Sequence, residues 1–322
     1  QSVLKVFHAG SLSLPFQRLE RIFEQSNPGL DVQREAYGSA TVIRQVTELG
    51  RPADLVASAD YRLIDRLMIE GNPPSADWNV LFARNAIIVA YGRADDPMDA
   101  DNWAETLMRD EVRVGMSNPN QDPCGYRGLF CTYLAGGNLF RELVLANSNL
   151  TVAQGNGNAV IGVPGDVRYT GRLVMRPKET DLIALLESGV IDFLFIYRSV
   201  AEQHGLHFME FPVEVDLSSP ALGEHYGKVS VEQFADRPER KALVQASPIV
   251  YGLTIPRGAP HPERALRFAE LALSERGRRV FEENGQPPIA PPLLSPASTA
   301  TALPRPLAGA GVVPMEPPAE RR

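Results

Sequence analysis

Short apolar runs that alternate with amphipathic helical stretches constrain this chain more than any other feature. Residues 4–8 read as a strand and 14–26 as a helix, with Phe16, Leu19, Ile22 and Phe23 on one face at helical spacing. A second strand over 31–36, a helix over 40–49, a third strand over 54–57 and a helix over 61–69 continue the pattern. Such alternation builds a doubly wound α/β fold with mainly parallel sheets, because each parallel crossover needs a connection long enough to carry the chain back. Ligands of these sheets bind outside the carboxyl ends of the strands.

The texture then changes. A β-rich segment covers 81–91, followed by a helix over 101–109 and a strand over 112–116 that ends in a polar loop. A helix is expected over 124–135, an irregular or hairpin excursion over 152–169, a helix over 180–188 stopped by Gly189, and a strand over 191–197. A helix over 199–204, strands over 207–210 and 249–255, and helices over 262–273 and 274–283 complete the pattern. Ten of the 27 prolines fall after Gln286, so the segment from 291 to 322 is expected to be a disordered or extended Pro/Ala-rich tail. A chain of 322 residues has the length of two domains or one large one.

Thirty-nine acidic against 32 basic residues, a net charge of -7, exclude nucleic acid, whose partners carry a surplus of Lys and Arg. The same charge argues against an anionic ligand only as a statement about the whole surface. Helix starts and hydroxyls hold an anion without entering the formal count. No run approaches the roughly 20 apolar residues of a membrane span. A chain that opens at Gln1 directly on a strand suggests a removed amino-terminal segment, with a secretion signal as the natural candidate. Cys124 and Cys131 sit seven residues apart on one expected helix, roughly 10 Å along its axis and too far for a disulfide. Gly205 interrupts the spacing of His204 and His207, so no zinc site is expected.

Two glycine-serine turns stand at consecutive strand-to-helix junctions, Gly10-Ser11 and Gly38-Ser39. Each permits close approach of the backbone and offers unpaired N–H groups at the positive end of a helix dipole. In a doubly wound sheet both face one crevice. Asp60, at the third junction, has the form of an N-cap. In the loop Asn118-Pro119-Asn120-Gln121-Asp122-Pro123-Cys124, Asp122 followed by Pro123 reads either as an N-cap with proline at the first helical position or as a ligand contact. Glu179, ahead of the 180–188 helix, is a first-turn acid or a second contact, and Tyr197 ends its strand where a hydroxyl can enter a crevice. Cys124 as a nucleophile lacks a neighbouring base.

The blocks Lys5-Val6-Phe7-His8-Ala9-Gly10-Ser11-Leu12, Ala57-Ser58-Ala59-Asp60-Tyr61, Ser117-Asn118-Pro119-Asn120 with Asp122-Pro123-Cys124-Gly125-Tyr126-Arg127, Arg176-Pro177-Lys178-Glu179, Tyr197-Arg198-Ser199-Val200-Ala201 and Asn284-Gly285-Gln286-Pro287-Pro288 occur in this order. Together they resemble the molybdate/tungstate-binding proteins of ABC importers, in the branch common among archaea and often called the WtpA type.

The resemblance implies a two-lobed periplasmic-binding-protein fold of type II, with mainly parallel sheets joined by a two-strand hinge. Its crossings fall near 83–91 and 196–199. Lobe one then comprises residues 1–85 with 198–290, lobe two 86–197, and the tail 291–322 lies outside the likeness. The implied function is extracytoplasmic capture of tungstate or molybdate for an ABC permease by a monomer in the periplasm or at the outer face of the cell membrane. No enzymatic activity and no cofactor are implied.

The implied contacts to the oxyanion are Gly10, Ser11, Ser39, the helix start after Asp122, and Tyr197. Asp122 and Glu179 are implied to coordinate the metal of the anion itself. Gln121 stands where many relatives carry an acid. Sulfate accepts hydrogen bonds but takes no added oxygen onto sulfur, whereas molybdenum and tungsten expand from four to six oxygen ligands. Two carboxylates therefore repel sulfate while offering the metal oxyanions two bonds. The rivals are a binding protein for plain tetrahedral oxyanions such as sulfate, and an enzyme using Cys124 or Glu179, which would need base and nucleophile together.

Overall fold

In the computed structural model, which describes residues 2–92, 98, 102–155, 157–237 and 240–315, the strands run in chain order as follows. The first five are β1 (Ser2–Ala9), β2 (Leu30–Tyr37), β3 (Leu55–Ser58), β4 (Val80–Arg84) and β5 (Ile87–Tyr91). Then come β6 (Val114–Ser117), β7 (Thr151–Gly155), β8 (Asn158–Gly162), β9 (Leu173–Arg176), β10 (Phe193–Tyr197) and β11 (His207–Glu210). The last five are β12 (Val229–Arg237), β13 (Arg240–Gln245), β14 (Val250–Thr254), β15 (Pro288–Leu294) and β16 (Val313–Pro314). The chain divides into two units, one built from residues up to Arg84 together with those from Val250 onward, the other from Asn85–Ile249.

The first unit is organised by one seven-stranded sheet in the order β16-β15-β4-β14-β3-β1-β2. Residues from Val6 to the end of β1 are buried, as a strand covered on both faces requires. β1 runs parallel to β2, with Ala9 opposite Tyr37, and parallel to β3, with His8 opposite Ala57. This register sets the Gly10, Gly38 and Ala59 junctions side by side on one edge. The helix Ser13–Ser26 buries Phe16, Leu19 and Phe23 on a single face, the spacing the sequence predicts. Phe16 and Phe23 both meet Phe268 of the helix Pro262–Leu273, at ring separations of 6.0 and 5.3 Å, and Phe281 of the helix Glu275–Glu282 closes the cluster. At about 1.5–3 kcal/mol per fully buried aromatic, this cluster fixes the carboxyl-terminal helices on the amino-terminal one.

The second unit repeats the strand plan. Its five-stranded sheet has the order β11-β5-β10-β6-β9, with β6 parallel to β9 and β10 and with β5 antiparallel to β10. The antiparallel β5 here and β14 in the first unit occupy equivalent places, next to the third parallel strand of each sheet. A second sheet, β13-β12-β8-β7, grows from the expected hairpin near 152–169. The helix Pro123–Leu134 is buried over most of its length because it packs on β5, β6, β10 and β12.

Two expectations on domain limits do not match. The first unit change falls between Arg84 and Asn85, within the crossing that the resemblance implies near 83–91, but the second falls between Ile249 and Val250 instead of near 197–198. The reason is pairing: β11 adds to β5, and β12 to β8, so residues 198–249 stay in the second unit. The tail expected to be disordered from 291 is folded as far as Met315, while 316–322 lie outside the described residues. β15 pairs with β4 at Pro288 and at Leu293–Leu294, and the ladder is irregular between them, where Pro291 and Pro292 have no N–H to donate. Leu307 is fully buried. The helix expected over 101–109 is Trp103–Met108, Asp101 being outside the described residues, and the helix over 180–188 splits into a tight turn, Glu179–Leu182, and a helix, Ile183–Glu187.

Candidate functional site

In the first unit, β1 ends at Ala9 and the chain tightens into a turn, Gly10–Leu12, before the helix Ser13–Ser26. The side chain of Ser11 is buried. Tyr251 Oη donates to Ser11 Oγ at 3.0 Å, and Gln286 Nε2 donates to the Ser11 carbonyl at 2.9 Å. Ser39 opens the helix Ser39–Thr47, and its buried Oγ accepts the Ala59 N–H at 2.9 Å. Both serine oxygens thus already accept from fixed neighbours, which leaves each hydroxyl proton free to turn toward a ligand. The first N–H groups of these turns have no partner within their own helices. Gly10, Ser11 and Ser39 therefore lie along one edge of the sheet.

Asp60 is the N-cap the sequence predicts: it accepts the Arg62 N–H at 3.0 Å and pairs with the Arg62 guanidinium. His8 is buried, its Nδ1 lying 2.8 Å from the Ala9 carbonyl oxygen.

In the second unit the carboxyl ends of β6, β9 and β10 carry the chemistry. Asp122 caps the helix Pro123–Leu134, with Pro123 at its first position, and is also the contact between two segments. Its Oδ1 accepts the Cys124 N–H at 3.2 Å, and its Oδ2 accepts the Glu179 N–H at 2.9 Å. The structure thus joins the two acids predicted to act together, 57 residues apart in sequence. Both are buried, and Glu179 Oε1 has no hydrogen-bond partner. Burial above all, and next the charge of Asp122 beside it, push the Glu179 carboxyl well above the usual carboxylate range.

The helix start after Asp122 does not offer the backbone donors expected of it. Pro123 has no N–H, the Cys124 N–H is taken by the Asp122 carboxylate, and the Gly125 N–H by the Asp122 carbonyl at 3.0 Å. Tyr197, fully buried, accepts from Arg127 Nη1 at 2.7 Å. Burial pushes the Cys124 thiol well up, which removes it as a nucleophile. Both cysteines are free. Among the described residues no cluster of three or more His, Cys, Asp or Glu is arranged to hold a metal ion, and no helix is long and apolar enough to cross a membrane.

Sequence reasoning missed the residues that hold the site residues in place. Tyr251 and Gln286 lie 240 and 275 positions from Ser11, with no local pattern to link them. Gln286 falls in the Asn284-Gly285-Gln286 block and Arg127 in the Gly125-Tyr126-Arg127 block. Arg127 is buried, with its guanidinium over the rings of Tyr126 and Tyr197 at 5.9 and 5.7 Å.

Comparison with known proteins follows this geometry. Residues 4–286 match the family model described as bacterial extracellular solute-binding protein. The molybdate/tungstate-binding protein WtpA of Thermococcus kodakarensis is 42% identical over 308 residues, covering 91% of this chain and 84% of that protein. Among solved structures, the periplasmic molybdate-binding protein of Azotobacter vinelandii aligns over 88% of this chain and 98% of its own, with TM-score 0.62 at 16% identity. The sulfate-binding protein SubI of Mycobacterium tuberculosis aligns over 90% of this chain and 88% of its own, with TM-score 0.60 at 15% identity. These structural likenesses establish the α/β fold of periplasmic solute-binding proteins.

Proposed function

The chain belongs to the bacterial extracellular solute-binding proteins, and from that membership we propose that it captures molybdate or tungstate and delivers it to the permease of an ABC importer. It is a binding protein of extracytoplasmic transport and not an enzyme. The proposed contacts are Gly10, Ser11 and Ser39 in the first unit and Asp122, Glu179 and Tyr197 in the second.

One observation carries the choice of ligand, the buried pair of Asp122 and Glu179 with Glu179 Oε1 unpartnered. Sulfate, which has no proton to donate, gains nothing from a carboxylate and is repelled by it. A hexavalent molybdenum or tungsten centre is hard, favours oxygen ligands and accepts two more of them. The serine hydroxyls serve the oxo groups and the carboxylates serve the metal, so selection against sulfate follows from charge rather than from size. The WtpA relative, named for molybdate and tungstate and covering most of this chain, supports the same ligand.

Calorimetric titration of the purified protein with tungstate, molybdate and sulfate tests this. Tight binding of the first two, undisturbed by excess sulfate, is expected. Absence of heat with both metal oxyanions, or equal affinity for sulfate, refutes the proposal. A protein that runs as a single copy in light scattering, with and without tungstate, fits the proposed monomer.

A further inference from the structure

Two polar atoms at the carboxyl edge of the second unit's main sheet are buried without a hydrogen-bond partner, Ser117 Oγ and Glu179 Oε1. Ser117 is the last residue of β6 and wholly buried, while Glu179 opens the turn Glu179–Leu182 and is 1% exposed. Side-chain alternation along β6 fixes the direction in which Ser117 points. Met116 faces the helix Pro123–Leu134, its Cγ 3.2 Å from where a Cβ on Gly128 would stand. Gly115 faces the opposite way, toward Leu182 and Ile191. Ser117 shares the face of Gly115, and on that face the turn Glu179–Leu182 packs against β6.

A hydroxyl donor and a carboxylate acceptor are thus presented to the same side of the sheet. They are complementary, and a bond between them would satisfy both, yet neither atom has a partner. Unmade hydrogen bonds of buried groups are expensive, so such a pair persists where a third group completes both. We propose that Ser117 is a further ligand residue, whose hydroxyl donates to an oxygen of the bound oxyanion while the metal centre takes the Glu179 carboxylate. The inference rests on the function proposed above and adds an uncharged donor to the second unit, where the backbone N–H groups of Cys124 and Gly125 are already engaged. Because it carries no charge, Ser117 strengthens the hold on any tetrahedral oxyanion alike, and discrimination against sulfate stays with Asp122 and Glu179.

The test is Ser117→Ala in the full chain, titrated calorimetrically with sodium tungstate and with sodium sulfate, alongside urea unfolding without ligand. A hydrogen bond to a charged partner is lost on binding, so tungstate affinity falls about 10- to 100-fold, with any sulfate binding falling by a similar factor. The unliganded midpoint is unchanged or raised, because the substitution removes a hydroxyl that has no partner in that state. Equal tungstate affinity of wild type and variant overturns the inference alone. A lowered unliganded midpoint with unchanged affinity per folded molecule assigns the hydroxyl a structural role and also overturns it. A wild type that binds no oxyanion overturns the functional proposal and this inference with it.

Discussion

Gly125→Ala tests how closely the loop that carries Asp122 must approach the sheet. A Cβ added at Gly125 would stand 2.2 Å from the Ser117 carbonyl oxygen and 2.8 Å from the Pro119 nitrogen, both backbone atoms that no rotamer change can move. Real Cβ contacts keep at least 3.0 Å, so the helix start and the end of β6 must part by roughly 0.8 Å. Overpacking of this kind costs about 1–3 kcal/mol. The displacement falls on Asp122, three residues earlier, whose two oxygens bridge Cys124 and Glu179 at 3.2 and 2.9 Å. Coordination tolerates an error of only about 0.5 Å, so tungstate affinity should fall at least tenfold beyond the loss of stability. Urea unfolding gives the first quantity and calorimetry the second. A variant that unfolds at a lower midpoint yet binds tungstate as wild type does would refute the coupling between this close approach and the site.

Further expectations follow from other groups. Glu179→Gln should weaken tungstate and molybdate binding much more than any residual sulfate binding in parallel titrations, and equal losses would point to damage of the fold. Burial raises the Asp65 carboxyl from 3.8 to about 6 against hydrogen bonds from Asn79 and Ser295 that lower it. An acid raised on folding favours the folded state below its unfolded pKa and loses that contribution as pH rises through the folded one, here between pH 4 and 6. The stability of Asp65→Asn relative to wild type should therefore rise by about 2 kcal/mol from pH 4 to pH 7.5 in urea unfolding, and parallel pH profiles would refute it. Phe268→Ala, which empties the space between Phe16 and Phe23, should cost about 3–5 kcal/mol of unfolding free energy.

What the sequence made legible is local. Strand-to-helix alternation, the apolar face of Phe16, Leu19 and Phe23, and the caps at Asp60 and Asp122 all arise within a few residues, and each stands as read. The shared edge of Gly10 and Ser39 follows from the parallel register of β1 and β2. The meeting of Asp122 with Glu179 came from the family likeness, since no spacing encodes a contact across 57 residues. The second unit boundary escaped because β11 returns to β5 more than 110 residues later, and such pairing leaves no mark on either strand. The fold of the tail is not legible because its prolines coincide with the break in the β15 ladder, while Ile289, Leu294 and Leu307 are too widely spaced to show a period, though all three are buried.

The claim that carboxylates of the protein bind the metal of the anion is tested most directly by X-ray absorption at the tungsten or molybdenum edge of the loaded protein. Free tungstate and molybdate are four-coordinate. Asp122 and Glu179 as ligands predict a bound centre with more than four oxygens, the added ones at longer distance, reverting toward four in Glu179→Gln. A bound anion whose spectrum matches the free tetrahedral ion would contradict it and leave the site a hydrogen-bonding one alone.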